Sequence, residues 1–384
     1  MSTIKVDEIF GDTDASAVNF PNKFKVGGLS VEQGYTASGS EPSSPSNGDY
    51  WWDTGNDKLY RYIDGGFKEL GLVGATDILW GGDRGLFAGG QTDSQAVTNT
   101  IDYMDITSAG NSTDFGNLTV AKRYLSGASN TSRGLVLGGY SNNASGVNVI
   151  EYVTIASPGN GTDFGDLNAQ GYYVYSCSDG TKAFTFGGYS SPNILNNIQQ
   201  RVIATTGNAS DFGNLSTYAY VGASCSDTTR AVHAHGRTRT SPSSGTLAYS
   251  NTMEYITTAN AGNATDFGDT TTARGELAAC SDYTRGVFAG GYNNAVSRYD
   301  IIDYITIQTT GNATDFGDLI SDRYRLGGAS NKTRGVFGGG NTTSGNSKVN
   351  SVEYVTIQTP GNATDLADLS TSVQALTAFA GNPS

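Results

Sequence analysis

The chain of 384 residues is poor in the residues that most enzyme and metal sites need. It has 3 Cys, 2 His, 8 Pro and 3 Trp, and only 15% of it is charged. Two histidines, His233 and His235, share one face of a strand, but no third ligand stands near them to complete a metal site. The nucleophile elbow, the P-loop, the HExxH pair and the sialidase S-x-D-x-G-x-x-W box are all missing. No run of 18 apolar residues occurs, so no segment is read as a membrane span. The opening MSTIKVDEIFGD has no apolar stretch, so no secretory signal is expected. Strong helix formers and long 3.6-period patterns are scarce, which points away from a helical domain. The net charge of −13 disfavours nucleic acid as a partner, because phosphate binding needs clustered Lys and Arg.

What the chain does contain is 52 Gly, 22 Tyr and a repeat. A basic residue opens the same segment at Arg84, Arg133, Lys182, Arg230, Arg285 and Arg334, at spacings of 49, 49, 48, 55 and 49 residues. Periods of this length mean solenoids, propellers or arrays. Each unit is a series of short β-type runs broken by Gly, Asn and Ser. The expected fold is therefore all-β: a six-bladed β-propeller, one blade per repeat. Four strands are read in each unit, as in RYRLGGAS (A), RGVFGGG (B), SVEYVTIQT (C) and TDLADL (D) of the last. The double glycine closing strand B is expected to allow close backbone approach near the axis. Runs resembling strand A occur seven times, since DILWGG at 77–82 and VQALTAFAG at 373–381 both qualify. The C-terminal run is expected to complete the first blade and close the ring, which protects edge strands.

A β-run ending in Gly-Gly, then a variable loop, then a strand carrying an acid and Tyr, resembles the kelch repeat over about 300 residues. That resemblance implies strand A innermost. Kelch units usually carry Trp on the fourth strand; here Phe115, Phe164, Phe212, Phe267, Phe316 and Leu366 take its place.

Alignment of the units gives bland readings to several suggestive residues. Cys177, Cys225 and Cys280 occupy one repeat position that is Ala128 and Ala329 elsewhere, which is a small buried slot. The six GN-x-[TS]-D motifs, at Asn111, Asn160, Asn208, Asn263, Asn312 and Asn362, read as turn chemistry rather than glycan acceptors or an ion site. Asp102, Glu151, Glu254, Asp303 and Glu353 share another repeat position and read as architecture rather than as paired catalytic carboxylates. The basic anchors and Asp114, Asp163, Asp211, Asp266, Asp315 and Asp365, which open strand D, are expected on one face, meeting each other or nearby main-chain groups. No enzyme activity, cofactor or metal is expected.

Adjacent strands alternate in direction, so A–B and C–D turns lie on one face of the ring and B–C and D–A segments on the other. The first face is uniform in sequence. The second varies through loops 90–99, 140–148, 189–197, 237–250, 292–299 and 341–350. Such diversity fits either a recognition surface or idle loops. Tyr and Arg are favoured interface anchors. Candidate receptor-binding residues on this face are Arg237, Arg239, Tyr249, Tyr140, Tyr189, Tyr292, Arg298, Lys122, Arg123 and Arg323, with Tyr172, Tyr173, Tyr218 and Arg274 beside them.

Before the repeats, residues 1–35 are short β-like runs, 36–48 a Ser/Pro/Gly-rich linker, and 49–72 an aromatic three-strand module with turns at Thr54-Gly55-Asn56 and Asp64-Gly65-Gly66; the propeller is expected over 73–384. MSTIKVDEI, AVNFPNKFKVGGLSV and DYWWDTGNDKLYRYIDGGFKEL are similar to the N-terminal parts of bacteriophage tail fibres and appendages, notably those of marine hosts. That resemblance implies a virion structural protein whose residues 1–72 dock on other tail, baseplate or capsid proteins, with the propeller binding a glycan or protein of the host surface. Fibres of this kind are often trimers. A propeller lectin outside a virion and a polysaccharide-degrading enzyme are the competing readings.

Overall fold

A computed structural model describes residues 24–26, 29–31, 35–46, 49–53, 58–63, 65–70, 81–142, 146–282, 284–295, 297–342 and 347–383. The chain forms two compact units, Met1–Asp77 and Ile78–Ser384, so the boundary falls a few residues after the expected 72/73. No helix occurs among the described residues.

The second unit is a six-bladed β-propeller. From the axis outward, blade 2 is Ser126–Ser129, Arg133–Leu137, Val147–Thr154 and Thr162–Gly171. Blade 3 is Tyr175–Ser178, Lys182–Ser190, Asn193–Val202 and Ser210–Asn214. Blade 4 is Ala223–Ser226, Arg230–Arg239, Ala248–Thr257 and Thr265–Asp269. Blade 5 is Ala278–Ser281, Arg285–Ala289, Ile301–Thr306 and Thr314–Asp318, and blade 6 is Gly327–Ser330, Arg334–Gly338, Ser351–Thr356 and Thr364–Asp368. Blade 1 is composite: the C-terminal Thr377–Gly381 lies innermost, paired with Arg84–Ala88, followed by Thr100–Asp105 and Thr113–Asn117. The ring therefore closes as expected, with the last strand of the chain inside the first blade. Of the rival run at 77–82, residues 77–80 lie outside the described residues. Gly81 and Gly82 pack against Ser330 and Gly381, at the A–B turn end of the inner strands, so the chain enters the propeller on its uniform face.

Alternation along each strand buries one residue set in each seam between blades. Phe115, Phe164, Phe212, Phe267 and Phe316 are buried there, meeting strand-C tyrosines edge-on in four blades, for example Tyr103 and Phe115 at 5.8 Å. The cysteines fill the expected small slot and are free and buried. A Cβ on Gly335 would stand 2.5 Å from the Cys280 sulfur, so the opposing strand must carry glycine.

The uniform turns are uniform because they tie each blade to the next. Asn160, Asn208, Asn263, Asn312, Asn362 and Asn111 each accept, through Oδ1, the main-chain N–H at the end of the preceding blade's outer strand, at 2.9–3.1 Å. The Asn111 bond, from Asp368, joins blade 6 to blade 1. Each such bond contributes about 1 kcal/mol. The basic anchors reach the same way: Arg84 Nη1 donates to the carbonyls of Ile155 and Ala156 at 2.8 Å, and Arg334 Nη1 closes the circle on Ile106 and Thr107. Five of them lie over a strand-C tyrosine of their own blade, such as Arg133 over Tyr152 at 4.3 Å. In blade 3 the pair is Lys182 and Gln200, so the side chains change together. The strand-D aspartates Asp114, Asp163, Asp211, Asp266, Asp315 and Asp365 are exposed, and among the described residues none forms an ion pair with an anchor. The carbonyls win because the guanidinium extends sideways into the next blade while the aspartates face solvent.

The repeat-position acids are also ties. Asp102, Glu151, Glu254, Asp303 and Glu353 are buried, and each accepts a main-chain N–H from the segment leaving the preceding blade, as Glu353 does from Ile320 at 2.8 Å. Gln199 does the same in blade 3, from Asn168.

Two expectations change. The double glycines stand at a blade seam rather than the axis: a Cβ on Gly89 would lie 2.7 Å from the Lys122 carbonyl, and Gly90 N–H donates to that carbonyl at 2.9 Å. In the first unit, the 36–48 stretch is not all linker. Tyr35–Ser38 pairs in parallel with Tyr50–Asp53, which continues antiparallel through Lys58–Ile63 and Gly66–Leu70. Trp51 is buried there, stacked on Tyr60 at 4.8 Å, with its Nε1 donating to the Ser38 carbonyl at 3.1 Å. A lone hairpin lacks such a core, and the extra strand supplies part of it. Residues 1–23 and the Thr54-Gly55-Asn56 turn lie outside the described residues.

Candidate functional site

The D–A segments and B–C loops share one face because they form a second layer of short pairings above the blades. Lys122–Arg123 pairs with Tyr140–Ser141, Tyr218–Tyr220 with Arg237 to Arg239, and Arg323–Tyr324 with Asn341–Thr342. Where each D–A segment turns down into strand A, one residue adopts the left-handed conformation: Tyr124, Tyr173, Val221, Glu276, Arg325 and Ala375, with φ of 55–60°. Five main-chain hydrogen bonds of 2.6–2.9 Å link these residues round the axis. Non-glycine residues in this conformation cost about 1 kcal/mol or more each. The mutual bonds of the ring hold them there.

Around that mouth runs a circuit of aromatic and guanidinium contacts. Tyr124 meets Tyr173 at 4.2 Å, and Tyr140, Tyr172 and Tyr189 follow at 4.9 and 5.3 Å. Tyr220 touches Tyr173 and Tyr189 at 5.8 and 5.9 Å. Arg237 carries the circuit on, with its guanidinium over Tyr249 at 4.9 Å and Tyr220 at 5.9 Å, and its Nη1 donating to the Tyr220 hydroxyl at 3.2 Å. Tyr249, Tyr292 and Tyr324 continue at 6.1 and 5.4 Å. Arg325, over both Tyr324 and Tyr124 at 4.8 and 5.0 Å, closes it. Arg298 covers Tyr324 at 5.0 Å, and Arg123 lies over Tyr124 and Tyr140 at 4.9 and 5.4 Å.

Burial, and then the neighbouring phenols, push the Tyr172 hydroxyl up; Tyr220 also rises, and Tyr249 is pushed up to about 12. These hydroxyls stay neutral donors and acceptors at physiological pH. Burial works against the charge on Arg325, but Glu276, at 2.5 and 3.1 Å, outweighs it and holds the guanidinium above its ordinary range.

Sequence reasoning placed Arg237, Arg239, Tyr249, Tyr140, Tyr189, Tyr292, Arg298 and Arg123 on this face, and the structure gathers them there, half-buried. Lys122 and Arg323 require correction. Both are buried, Lys122 beside Glu151 at 3.4 Å and Arg323 bonded to Glu353, so neither offers its charge to a ligand. Arg274, paired with Asp303 at 2.8 Å, is the third of this set. Tyr124, Tyr220, Glu276, Tyr324 and Arg325 were missed. A signal existed for Tyr124, Glu276 and Arg325: the residue before an almost constant Leu or Val (Leu125, Val174, Leu277, Leu326, Leu376) varies between units.

The two histidines are buried in blade 4, and among the described residues no cluster of three or more His, Cys, Asp or Glu is placed to hold a metal ion. His235 stands where the other blades have the first glycine of the pair, and its Nε2 meets Glu254 at 2.8 Å. It substitutes for the Lys or Arg that Ala219 replaces in this seam. His233 occupies the position of Phe87, Phe288 and Phe337, stacked on Phe186 at 5.1 Å, with Ser224 at 2.9 Å from Nδ1. Burial, and then the neighbouring His235, hold His233 well below its ordinary value, so it is neutral when folded. The unfolded chain takes up a proton there below about pH 6.5, so this contribution is complete above that pH and lost as pH falls, by up to about 1.4 kcal/mol per unit. His233→Phe is expected to flatten the urea midpoint between pH 6.5 and 5; an unchanged slope would assign the acid sensitivity elsewhere.

A cavity of about 130 Å³ follows the axis, lined by the inner strands of all six blades, among them Gly127, Ser176, Ser224, Ala279, Gly328 and Ala378. Its wall also includes the three cysteines, whose thiols burial pushes up, that of Cys177 to about 12, so none is a ready nucleophile. Compared with known proteins, the chain matches no family model and no curated sequence.

Proposed function

We propose that this chain is a non-enzymatic virion protein, a tail fibre or appendage, whose propeller binds a host-surface molecule through its variable face while residues 1–72 attach it to the particle. The observation that carries the binding half is the closed Tyr–Arg circuit on the face opposite to the one where Gly81 and Gly82 enter the ring. A β-propeller fits a binding role of this kind, including a lectin-like one. Catalysis is disfavoured because the repeat-position carboxylates are consumed in blade-to-blade bonds. The virion half rests on the similarity of the N-terminal segments to phage fibres, and trimeric assembly follows from the same similarity.

Loop 237–250 extends a hairpin, with Arg230–Arg239 paired to Ala248–Thr257. Replacing this loop by a short Gly-Ser turn removes Arg237, Arg239 and Tyr249 and leaves the blade core untouched. Particles carrying the exchange are expected to fold and assemble normally and to adsorb to host cells at least tenfold more slowly. Unchanged adsorption would reject the receptor reading of this face. Incorporation into particles of a chain lacking residues 1–72 would reject the anchoring half. A lectin outside a virion would instead bind glycan as an isolated protein and be absent from purified particles.

A further inference from the structure

The variable face is divided by charge. In blades 2–4 its segments are 118–125, 138–148, 167–174, 187–197, 215–222 and 236–250, and they contain no Asp or Glu, although the chain has 36 acids and a net charge of −13. They contain Lys122, Arg123, Arg237 and Arg239, and eight tyrosines: Tyr124, Tyr140, Tyr172, Tyr173, Tyr189, Tyr218, Tyr220 and Tyr249. Lys122 is consumed by Glu151. The three arginines are not: among the described residues no carboxylate lies within ion-pair distance of Arg123, Arg237 or Arg239, and the Nε of each is enclosed without an acceptor. On the same face the fold supplies a carboxylate to Arg274, Arg323 and Arg325.

A guanidinium stacked on aromatic rings keeps its N–H donors in its own plane, directed past the ring edges. Arg237 lies over Tyr249 at 4.9 Å and is tied by Nη1 to the Tyr220 hydroxyl, and Arg123 lies over Tyr124 and Tyr140 at 4.9 and 5.4 Å, so the rings position both guanidinium groups. Such a group grips a planar carboxylate through two parallel hydrogen bonds. The surrounding neutral phenols offer ring faces to C–H groups and hydroxyls to polar ones. Three cations in a chain of this negative charge suit isolated charges on a hydroxylated scaffold rather than a dense polyanion.

We propose that the acid-free half of the face binds carboxylate-bearing saccharides, with Arg237 and Arg123 as the carboxylate receptors and the tyrosines as the sugar platform. This rests on the receptor-binding reading of the same face and names its ligand class. The test measures binding of the full chain to a panel of uronate- and sialate-terminated oligosaccharides, each beside its methyl ester, with dextran sulfate as a polyanion control. Esterification is expected to weaken binding at least tenfold. Arg237→Gln or Arg123→Gln is expected to weaken the acid form about tenfold and leave the ester unaffected, with unchanged melting. Equal binding of acid and ester, binding of dextran sulfate alone, or no binding across the panel would each overturn the proposal. If the panel fails while the 237–250 exchange still abolishes adsorption, the receptor face stands with another ligand. If the acid sugars bind while the exchange leaves adsorption intact, the saccharide site stands and the receptor reading falls.

Discussion

Removal of residues 377–384 is expected to abolish cooperative folding of the whole propeller, not merely to trim its first blade. Thr377–Gly381 is the inner strand of blade 1 and pairs along the full length of Arg84–Ala88. Phe379 packs with Leu86, Val136 and Val153 in the seam between blades 1 and 2, while Ala378 and Ala380 pack with Ala329 and Val336 in the seam with blade 6. The Ser129 hydroxyl also donates to the Ala380 carbonyl at 2.7 Å. One short strand thus holds two seams at once. Emptying the Phe379 site alone, as Phe379→Ala, costs about 3–5 kcal/mol. The remaining strand adds several ladder bonds and exposes an unpaired edge, in a fold whose total stability is about 5–15 kcal/mol. Near-UV circular dichroism and urea titration should show a broad, non-cooperative transition and aggregation for the truncated chain. A midpoint equal to that of the intact protein would mean that the ring does not depend on its clasp.

Arg323→Met is expected to destabilise the propeller by about 3–5 kcal/mol, because it strands Glu353 without a counter-charge in a buried seam. The pair is buried on both sides, and Arg323 also donates to the Gly339 and Ser351 carbonyls at 3.3 and 3.2 Å. The double change Arg323→Met with Glu353→Gln should recover most of the loss, since the remaining amide can still accept the Ile320 N–H. Blade 3 provides the opposite sign. Arg201 stands where other blades carry Met104, Val153, Ile256, Ile305 and Val355, and its guanidinium is buried with Nε and Nη1 unbonded. Burial pushes it down to about 9. It donates to Thr185 at 2.6 Å, and among the described residues no carboxylate lies within ion-pair distance of it. Arg201→Met is therefore expected to raise stability by about 1–4 kcal/mol. Urea midpoints of the variants decide both directions, and a destabilised Arg201→Met would show that this cation has a partner of its own.

The period of the anchors, the β-type runs and the return of an A-like strand at the C-terminus were enough to reach a six-bladed ring with a composite blade. A repeat that cannot bury its faces alone must stack on its neighbours, and that constraint is written into spacing and patterning along the chain. The small slot of the cysteines and the shared role of the buried acids were readable for the same reason: equivalent positions in six copies act as an internal comparison. Placing the variable loops on one face followed from strand alternation alone.

What could not be read was which polar groups meet across a seam. Asn111 and Asp368, Arg334 and Ile106, and Glu353 and Arg323 are far apart or differently spaced in sequence, and only the rotation of one blade against the next brings them together. Lys122 and Arg323 looked like surface cations, as Arg123 is, because burial within a D–A segment depends on the left-handed turn at its end, which points one side chain into the seam and its neighbour to the mouth. The Tyr–Arg circuit has the same origin. Composition supplied the tyrosines and arginines, but their order round the axis follows from ring closure, which sets blade 6 beside blade 1 and lets Arg325 reach Tyr124 at the mouth.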